Sequence, residues 1–128
     1  MATGLAAPQT GISKRVAVIN CDNQLIELIN PEILHMTGEQ MGMEGCLSFI
    51  GYFRMVKRNK YIKVITMDRY GNKYSIEGKD LLAICVQHET DYLNGILYID
   101  HIVDNILYNE ITNQKVNLQF AIDLTKVK

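Results

Sequence analysis

The segment Asp80–Asn94 places the strongest constraint on how this chain can fold. Its sequence, DLLAICVQHETDYLN, has the length of a helix, begins with a residue that favours the N-cap and is followed by Gly95. The first half is apolar on nearly every side, which is typical of a helix buried in a core rather than one lying on a surface. We therefore expect the other elements to pack around this helix.

Several shorter segments have the pattern of β-strands. Arg15–Asn20 and Gln24–Asn30 are rich in apolar and β-branched residues, and the turn formers between them predict a hairpin. Lys60–Asp68 alternates in polarity and is followed, after a turn, by Lys73–Glu77, which predicts a second antiparallel hairpin. Ile96–Asp100 is predicted as a further strand.

Size and composition narrow the class of protein. With 128 residues, 48% of them apolar and 21% charged, the chain predicts one globular domain over residues 1–128. A net charge of -1 provides no overall field for nucleic acid or an anionic membrane. We find no apolar run of membrane-spanning length and no signal segment after Met1. The three cysteines are an odd number, which favours a reducing compartment, so we expect a cytoplasmic location.

Polar and ionisable residues interrupt the apolar helix abruptly at Gln87, His88 and Glu89. A buried charge costs several kcal/mol unless it is paired or bound to a metal, so this position needs a reason. His88 and Tyr92 are four residues apart and project from one helix face, while Glu89 lies about 100° around the axis. This is the geometry of an H-E-x-x-H metal helix with Tyr92 in the place of the second histidine.

Two further motifs accompany this helix, namely the run GLAAPQ at Gly4–Gln9 and the run EGCLS at Glu44–Ser48. Together with HETD at residues 88–91, and in this order, they resemble peptide deformylase. That family comprises metal-dependent enzymes that remove the N-formyl group from nascent bacterial polypeptides. The resemblance covers roughly Thr3 to Ile102 and implies an α+β fold, with antiparallel β-sheets around one central buried helix.

The resemblance also implies a role for each matching residue. A divalent metal, Fe²⁺ in the cell and Zn²⁺, Ni²⁺ or Co²⁺ in purified protein, would be bound by Cys46 and His88, with Tyr92 at the third ligand position. Glu89 would take a proton from water and deliver it to the leaving amine. The oxyanion formed from the formyl carbonyl would be stabilised by the Gln9 side chain and the Leu47 backbone N–H.

The implied substrate is a formyl-methionyl peptide, and proximity to the ribosome is implied with it. The peptide would lie beside Gly4 as an added strand, with its methionine side chain in a pocket of Leu81, Ile84 and Cys85. The resemblance further implies that Glu44 and Arg58 form a supporting charged pair.

The sequence departs from the family pattern at several positions near this site. Tyr92 replaces the third histidine ligand, and a phenol with a pKa near 10 is a poorer ligand at pH 7. Ala2, Ile50 and Phe53 replace a glycine, a proline and an arginine of the family. Members of the family carry a helix before the first motif, so we expect an exposed apolar patch, contact with a partner or lower stability.

These departures leave alternatives open. The chain is either an active or weakly active deformylase, or a non-catalytic relative whose cleft binds a peptide or protein. A zincin-type protease is disfavoured, because Tyr92 breaks its motif and Cys46 has no role in its mechanism. We expect Met36, Met41 and Met43 to fill gaps in the core, with the lining of a pocket as the alternative. The basic stretch from Arg54 to Lys63 is expected to be a solvated hairpin face, with contact to ribosomal RNA as the alternative.

Overall fold

The computed structural model of the chain describes residues 2–45, 51–96, 98–101 and 106–119. The backbone divides into two compact units. The first consists of Met1–Gln40 and Lys57–Ile96, and the second of Met41–Val56 and Leu97–Lys128. A single domain over residues 1–128 therefore stays a prediction.

The described residues form strands β1 to β9, one α-helix α1, and 3-10 turns at Ala7–Thr10 and Tyr98–His101. The elements are β1 (Ala2–Ala6), β2 (Val16–Cys21), β3 (Gln24–Thr37), β4 (Gln40–Glu44), β5 (Tyr52–Arg58), β6 (Tyr61–Met67), β7 (Lys73–Lys79), α1 (Leu81–Leu93), β8 (Ile106–Asn109) and β9 (Lys115–Asn117).

The first unit is built on a five-stranded sheet with the strand order β1-β2-β3-β6-β7. Its neighbouring strands are antiparallel, which confirms both predicted hairpins. The β2–β3 turn consists of Asp22 and Asn23, and both have positive φ angles, of 50° and 65°. Two such residues match the twist of the flanking strands, so the turn brings β2 and β3 together directly.

Strand β3 is longer than predicted because it pairs with β2 along its first half and with β6 along its second. The β3–β6 register shifts between Ile29 and Glu32. The hydroxyl of Thr66 serves both backbone groups of Ile29 there, accepting from its N–H at 2.8 Å and donating to its carbonyl at 2.9 Å. Thr66 thereby satisfies backbone groups at the irregularity in the ladder.

Helix α1 packs against β1, β2 and β7 of this sheet. The core between them contains Ile19, Leu28, Ile62, Val64 and Val86, all fully buried. The expectation that the apolar half of the helix is buried on every side is wrong, because Leu81 is 39% exposed and Ile84 and Cys85 are half-buried. The sheet covers one side of the helix and leaves this row of side chains partly accessible.

The ends of α1 lie close to the predicted ones. Asp80 occupies the N-cap position, but its side chain makes no capping hydrogen bond. Its backbone N–H donates instead to the carbonyl of Lys60 at 3.0 Å. At the other end Asn94 is the C-cap, and Gly95 has a φ of 82°, as expected for a glycine that terminates a helix.

The second sheet has the order β4-β5-β8-β9. Phe53 on β5 faces Tyr108 on β8, and their rings stack with centroids 5.6 Å apart. Arg54 donates to the carbonyl of Ile106 at 2.8 Å, and its guanidinium carbon lies 5.6 Å from the centroid of the Tyr108 ring. Both residues are therefore engaged in packing β5 against β8.

Several predictions for the polypeptide around this sheet are wrong. Tyr98–His101 is a 3-10 turn, so Ile96–Asp100 is not a strand as predicted; a short apolar run does not reveal its backbone conformation by periodicity alone. Strands β4 and β5 were not predicted, because QMGME lacks β-branched residues and YFRMVKR is rich in charge. Met36, Met41 and Met43 are exposed and do not fill gaps in the core.

Apolar surface is exposed on the first sheet, on the side away from the core. Leu5 on β1 and Val18 on β2 face each other across the ladder and are 37% and 38% exposed, and Leu25 on β3 is 64% exposed. Among the described residues, no helix has the length and apolar character needed to cross a bilayer.

Candidate active site

Helix α1 presents the central group of candidate residues. His88 and Tyr92 are half-buried and lie one turn apart on the same face, as their spacing predicts. Glu89 lies on the adjoining face and is only 4% exposed. The helix therefore places a nearly buried carboxylate beside a partly accessible imidazole and phenol.

The Glu89 carboxylate lies directly against strand β1. A Cβ atom built on Gly4 would be 2.6 Å from Oε1 of Glu89, 2.9 Å from Cδ and 3.1 Å from Cγ. Real side chains do not approach this closely, so only a glycine at position 4 leaves room for Glu89 in this position. Gly4 pairs with Ile19 of β2, and β1 is an edge strand of the five-stranded sheet.

The other carboxylate oxygen of Glu89 has an unusual environment. Oε2 is buried and has no hydrogen-bond partner within the part of the chain that the structure describes. Burial raises the pKa of the Glu89 carboxyl, and an electrostatic contribution from the neighbouring His88 side chain opposes this rise. A water molecule that donated a hydrogen bond to Oε2 would satisfy this buried oxygen. A general base needs a water in that place, so the environment of Oε2 fits such a role for Glu89.

The predicted methionine pocket involves the first two turns of α1. Leu81, Ile84 and Cys85 form the row of exposed and half-buried side chains described above, and Cys85 also packs against the buried core. At spacings of three, four and seven residues, Cys85 and Leu81 lie on the same side of the helix as His88. An accessible apolar row beside His88 supports a pocket there, which stays a prediction.

Three predicted residues cannot be placed against Glu89. Gln9 belongs to the 3-10 turn Ala7–Thr10 that follows β1, and its side chain lies outside the described structure. Cys46 and Leu47 fall outside the described residues. The preceding Gly45 is described, and a Cβ there would be 2.9 Å from the carbonyl oxygen of Tyr52, so the close packing of the backbone requires glycine.

The described ranges contain no group of three His, Cys, Asp or Glu side chains that could hold a metal ion. Of the three predicted ligands only His88 is a residue of these types within those ranges, since Cys46 lies outside them and Tyr92 is of another residue type. The metal site of Cys46, His88 and Tyr92 therefore stays a prediction. Among the described residues, the feature that fits a catalytic site here is Glu89, whose buried Oε2 has no hydrogen-bond partner there.

The ion-pair partner of Asp91 was not predicted from the sequence. Nη1 of Arg58 lies 2.5 Å from Oδ2 of Asp91, and the two side chains are 4% and 21% exposed. The predicted pairing of Arg58 with Glu44 stays a prediction, and Glu44 is likewise buried. Asp91 is part of the HETD motif, but nothing in that motif indicates that its partner is Arg58, 33 residues earlier in the chain.

The sequence analysis also missed the role of Gln87. Its side-chain oxygen accepts a hydrogen bond from the N–H of Asn59 at 3.0 Å, and its Nε2 donates to the carbonyl of Asn59 at 2.8 Å. A third bond runs from Nε2 to the carbonyl of Ala83 at 2.9 Å. The buried amide thus joins α1 to the β5–β6 connection, and a polar side chain directly after the apolar turns of the helix was the signal available.

The basic stretch is not the uniform solvated face that we expected. Arg58 is buried against Asp91 and Arg54 is bound to β8. The lysines of the stretch lie near carboxylates, with Lys57 3.0 Å from Glu39 and Lys63 3.6 Å from Glu77. Their charges are largely matched locally, which disfavours an RNA-binding patch.

Comparison with known proteins identifies the family of this chain. Residues 1–106 match the family model described as polypeptide deformylase. A peptide deformylase of Acetivibrio thermocellus is 46% identical over 114 residues, which are 89% of this chain and 67% of that protein. One of Thermoanaerobacter pseudethanolicus is 54% identical over 97 residues, which are 76% of this chain and 61% of that protein.

Solved structures share the fold. The crystal structure of a peptide deformylase from Legionella pneumophila superposes with a TM-score of 0.79 and 35% identity, covering 97% of this chain and 69% of that one. The structure of a Synechococcus elongatus peptide deformylase in complex with actinonin gives 0.78 and 36%, covering 96% and 63%. The chain thus spans about three fifths to two thirds of the length of these relatives. With its α+β fold of antiparallel sheets and one helix, it belongs to the peptide deformylase family.

Proposed function

We propose that this protein is a metal-dependent peptide deformylase that hydrolyses the N-formyl group of formyl-methionyl peptides. The observation that carries the proposal is the buried Glu89 carboxylate, which lies against Gly4 of an edge strand and beside His88. Relatives named peptide deformylase are about 46–54% identical to the chain. Substrates of this kind are nascent bacterial polypeptides, so the proposal includes a cytoplasmic location close to the ribosome.

The proposed metal ligands are Cys46, His88 and Tyr92. A bound divalent ion supplies Lewis acidity that makes water nucleophilic near neutral pH. Thiolate and imidazole are donors that iron, zinc, nickel and cobalt all accept. A phenol oxygen is a poorer ligand for these ions near neutral pH than an imidazole nitrogen, so the metal affinity should be lower with Tyr92 than with a histidine.

Glu89 is the proposed general base. Its carboxylate accepts a proton from the attacking water and donates it to the amine nitrogen as the C–N bond to the formyl carbon breaks, releasing formate and a free N-terminus. The negative charge that develops on the formyl oxygen is stabilised by the side-chain amide of Gln9 and the backbone N–H of Leu47. Burial suits Glu89 to this role, because a carboxyl with a raised pKa returns the proton readily.

The peptide is proposed to bind beside Gly4, along the edge of β1 that pairs with no other strand among the described residues. An edge strand offers unpaired backbone groups to an extended peptide, and β1 is at the end of the five-stranded sheet. The side chain of the first methionine is proposed to contact Leu81, Ile84 and Cys85, where the apolar half of α1 is accessible.

A second candidate function is a non-catalytic binding module. The observation that favours it is Tyr92, since a metal site that exchanges one of its imidazole ligands for a phenol loses affinity. Such a protein keeps the β1 edge and the apolar row of α1 and binds peptide without hydrolysing it.

One set of measurements separates the two. The protein is purified without chelator under low oxygen, its metal content is measured, and formate release from a formyl-methionyl tripeptide is followed for the native chain, Glu89→Gln and Tyr92→His. A deformylase releases formate, is inhibited by chelator, and loses activity by about 100-fold or more in Glu89→Gln at unchanged metal content.

Tyr92→His should raise metal affinity by more than the roughly 10- to 100-fold change typical of residues that only orient a metal ligand. Formate release by Tyr92→His alone would assign the native chain to the binding module. Release by neither protein, with metal bound to both, would contradict a deformylase site.

A further inference from the structure

Gly4 lies in ordinary strand conformation, yet it is a glycine. Its φ is not among the positive values that favour glycine, in contrast to Gly11, Gly71 and Gly95. An alanine could adopt the same backbone geometry, and in a strand alanine is normally favoured over glycine by roughly 0.5–1 kcal/mol. The backbone therefore does not explain the glycine at position 4.

The space beside Gly4 does explain it. The three nearest atoms to a Cβ at this position all belong to Glu89, namely Oε1, Cδ and Cγ at 2.6, 2.9 and 3.1 Å. Glu89 cannot retreat easily, because its side chain is 4% exposed and its helix packs against β1 and β2. The end of the Glu89 side chain and the backbone of β1 thus occupy adjoining space with no room for a methyl group between them.

We propose that Gly4 is a positioning residue, whose missing side chain sets the place of the Glu89 carboxylate against the β1 edge. This inference deepens the proposed function, because it gives Gly4 a task beyond offering backbone groups to a peptide. A peptide that pairs with β1 is then held at a fixed distance from the carboxylate that moves the proton.

A double-mutant cycle tests the pair without any assay of activity. Urea unfolding midpoints are measured for the native chain, Gly4→Ala, Glu89→Ala and the double variant. In the native background Gly4→Ala should lower the midpoint, because the methyl group collides with Glu89. In the Glu89→Ala background the same substitution should raise the midpoint or leave it unchanged, since the space is free and alanine is favoured.

Gly78→Ala is the matched control. Gly78 lies on β7 of the same sheet, and a Cβ there would be 2.7 Å from Cδ2 of Leu82, with no atom of Glu89 among its nearest neighbours. Its effect on the midpoint should be equal in the two backgrounds. If Gly4→Ala does not fold, recovery of folding in the double variant supports the pair, and failure of the double variant contradicts it. An equal effect of Gly4→Ala in both backgrounds also contradicts it.

Measurements of kcat and KM separate a role of Gly4 in positioning Glu89 from a role in peptide binding. At equal metal content, Gly4→Ala should lower kcat for formate release by about 100-fold, the loss expected from a displacement of about 1 Å, with a smaller change in KM. A rise in KM at unchanged kcat would restrict Gly4 to peptide binding and overturn the inference. An inactive native chain would contradict the proposed function, while the stability cycle would still decide whether Gly4 positions Glu89.

Discussion

Gln87 and Asn59 are joined by a pair of hydrogen bonds in which one side-chain amide serves both backbone polar groups of the other residue. The N–H of Asn59 donates to Oε1 of Gln87 at 3.0 Å, and Nε2 of Gln87 donates to the carbonyl of Asn59 at 2.8 Å. Asn59 immediately follows β5, and Gln87 immediately precedes His88. This clamp ties the candidate site helix to the connection between two strands.

The substitution Gln87→Met keeps the size of the side chain and removes these bonds. We expect it to lower the free energy of unfolding by about 1–3 kcal/mol, because the half-buried backbone groups of Asn59 and the buried carbonyl of Ala83 lose a hydrogen-bond partner. The measurement is urea denaturation followed by circular dichroism. Gln114→Met is the matched control, since Gln114 is exposed, and it should change stability by less than about 0.5 kcal/mol. Equal losses in the two variants would argue against the clamp.

Replacing Arg58, which pairs with Asp91, should reduce the stability of the protein more than replacing the neighbouring charged residue Lys57 of β5. Arg58→Met leaves the Asp91 carboxylate without this partner 2.5 Å away, and we expect a loss of about 3–5 kcal/mol. Lys57→Met is the control on the neighbouring residue, because Lys57 pairs with Glu39 in an exposed position and should cost at most about 1 kcal/mol. The two variants are compared by thermal and urea unfolding, and a smaller loss for Arg58→Met than for Lys57→Met would refute this ranking.

Glu27 and Arg69 predict a pH dependence of stability. Hydrogen bonding from Arg69, including Nε to Oε1 at 3.0 Å, holds the pKa of the Glu27 carboxyl below its ordinary value. Since the folded pKa is the lower one, the stabilisation is complete above the unfolded pKa of about 4.3 and disappears as the pH falls through the folded value.

The difference in urea midpoint between the native chain and Glu27→Gln should therefore be largest near neutral pH and should close in acid. Added salt should narrow the same difference at pH 7, because the pair is accessible to solvent. A difference that stays constant from pH 7 to pH 3 would show that the pair contributes nothing through charge.

Gly95 should be costly to replace for a reason opposite to that at Gly4. Its φ is 82° and nothing lies within 4 Å of a Cβ built on it, so substitution meets backbone strain but no collision. We expect Gly95→Ala to lower the free energy of unfolding by about 1–2 kcal/mol, and Gly95→Asn to cost less, since asparagine tolerates this conformation better. Unfolding curves of the two variants test the order, and an equal or larger loss for Gly95→Asn would be inconsistent with strain.

The sequence by itself determined the features that depend on residues close together in the chain, such as turns, helix ends and short motifs. The β2–β3 turn at Asp22 and Asn23 and the end of α1 at Gly95 follow from local backbone preferences, and both were predicted correctly. The order of the motifs was sufficient to identify the family, because residue types at short spacings carry that signal. The position of His88 relative to Tyr92 follows from helical geometry alone.

Only the tertiary structure decided which distant groups meet. Gly4 and Glu89 are 85 residues apart in the sequence. Neither motif indicates that the Glu89 carboxylate occupies the space where a side chain at position 4 would lie. Gln87 binds the backbone of Asn59, a group that every residue possesses and that no sequence pattern distinguishes. The accessible side of α1 was also undetermined, since hydrophobicity shows that a face is apolar but not whether another element covers it.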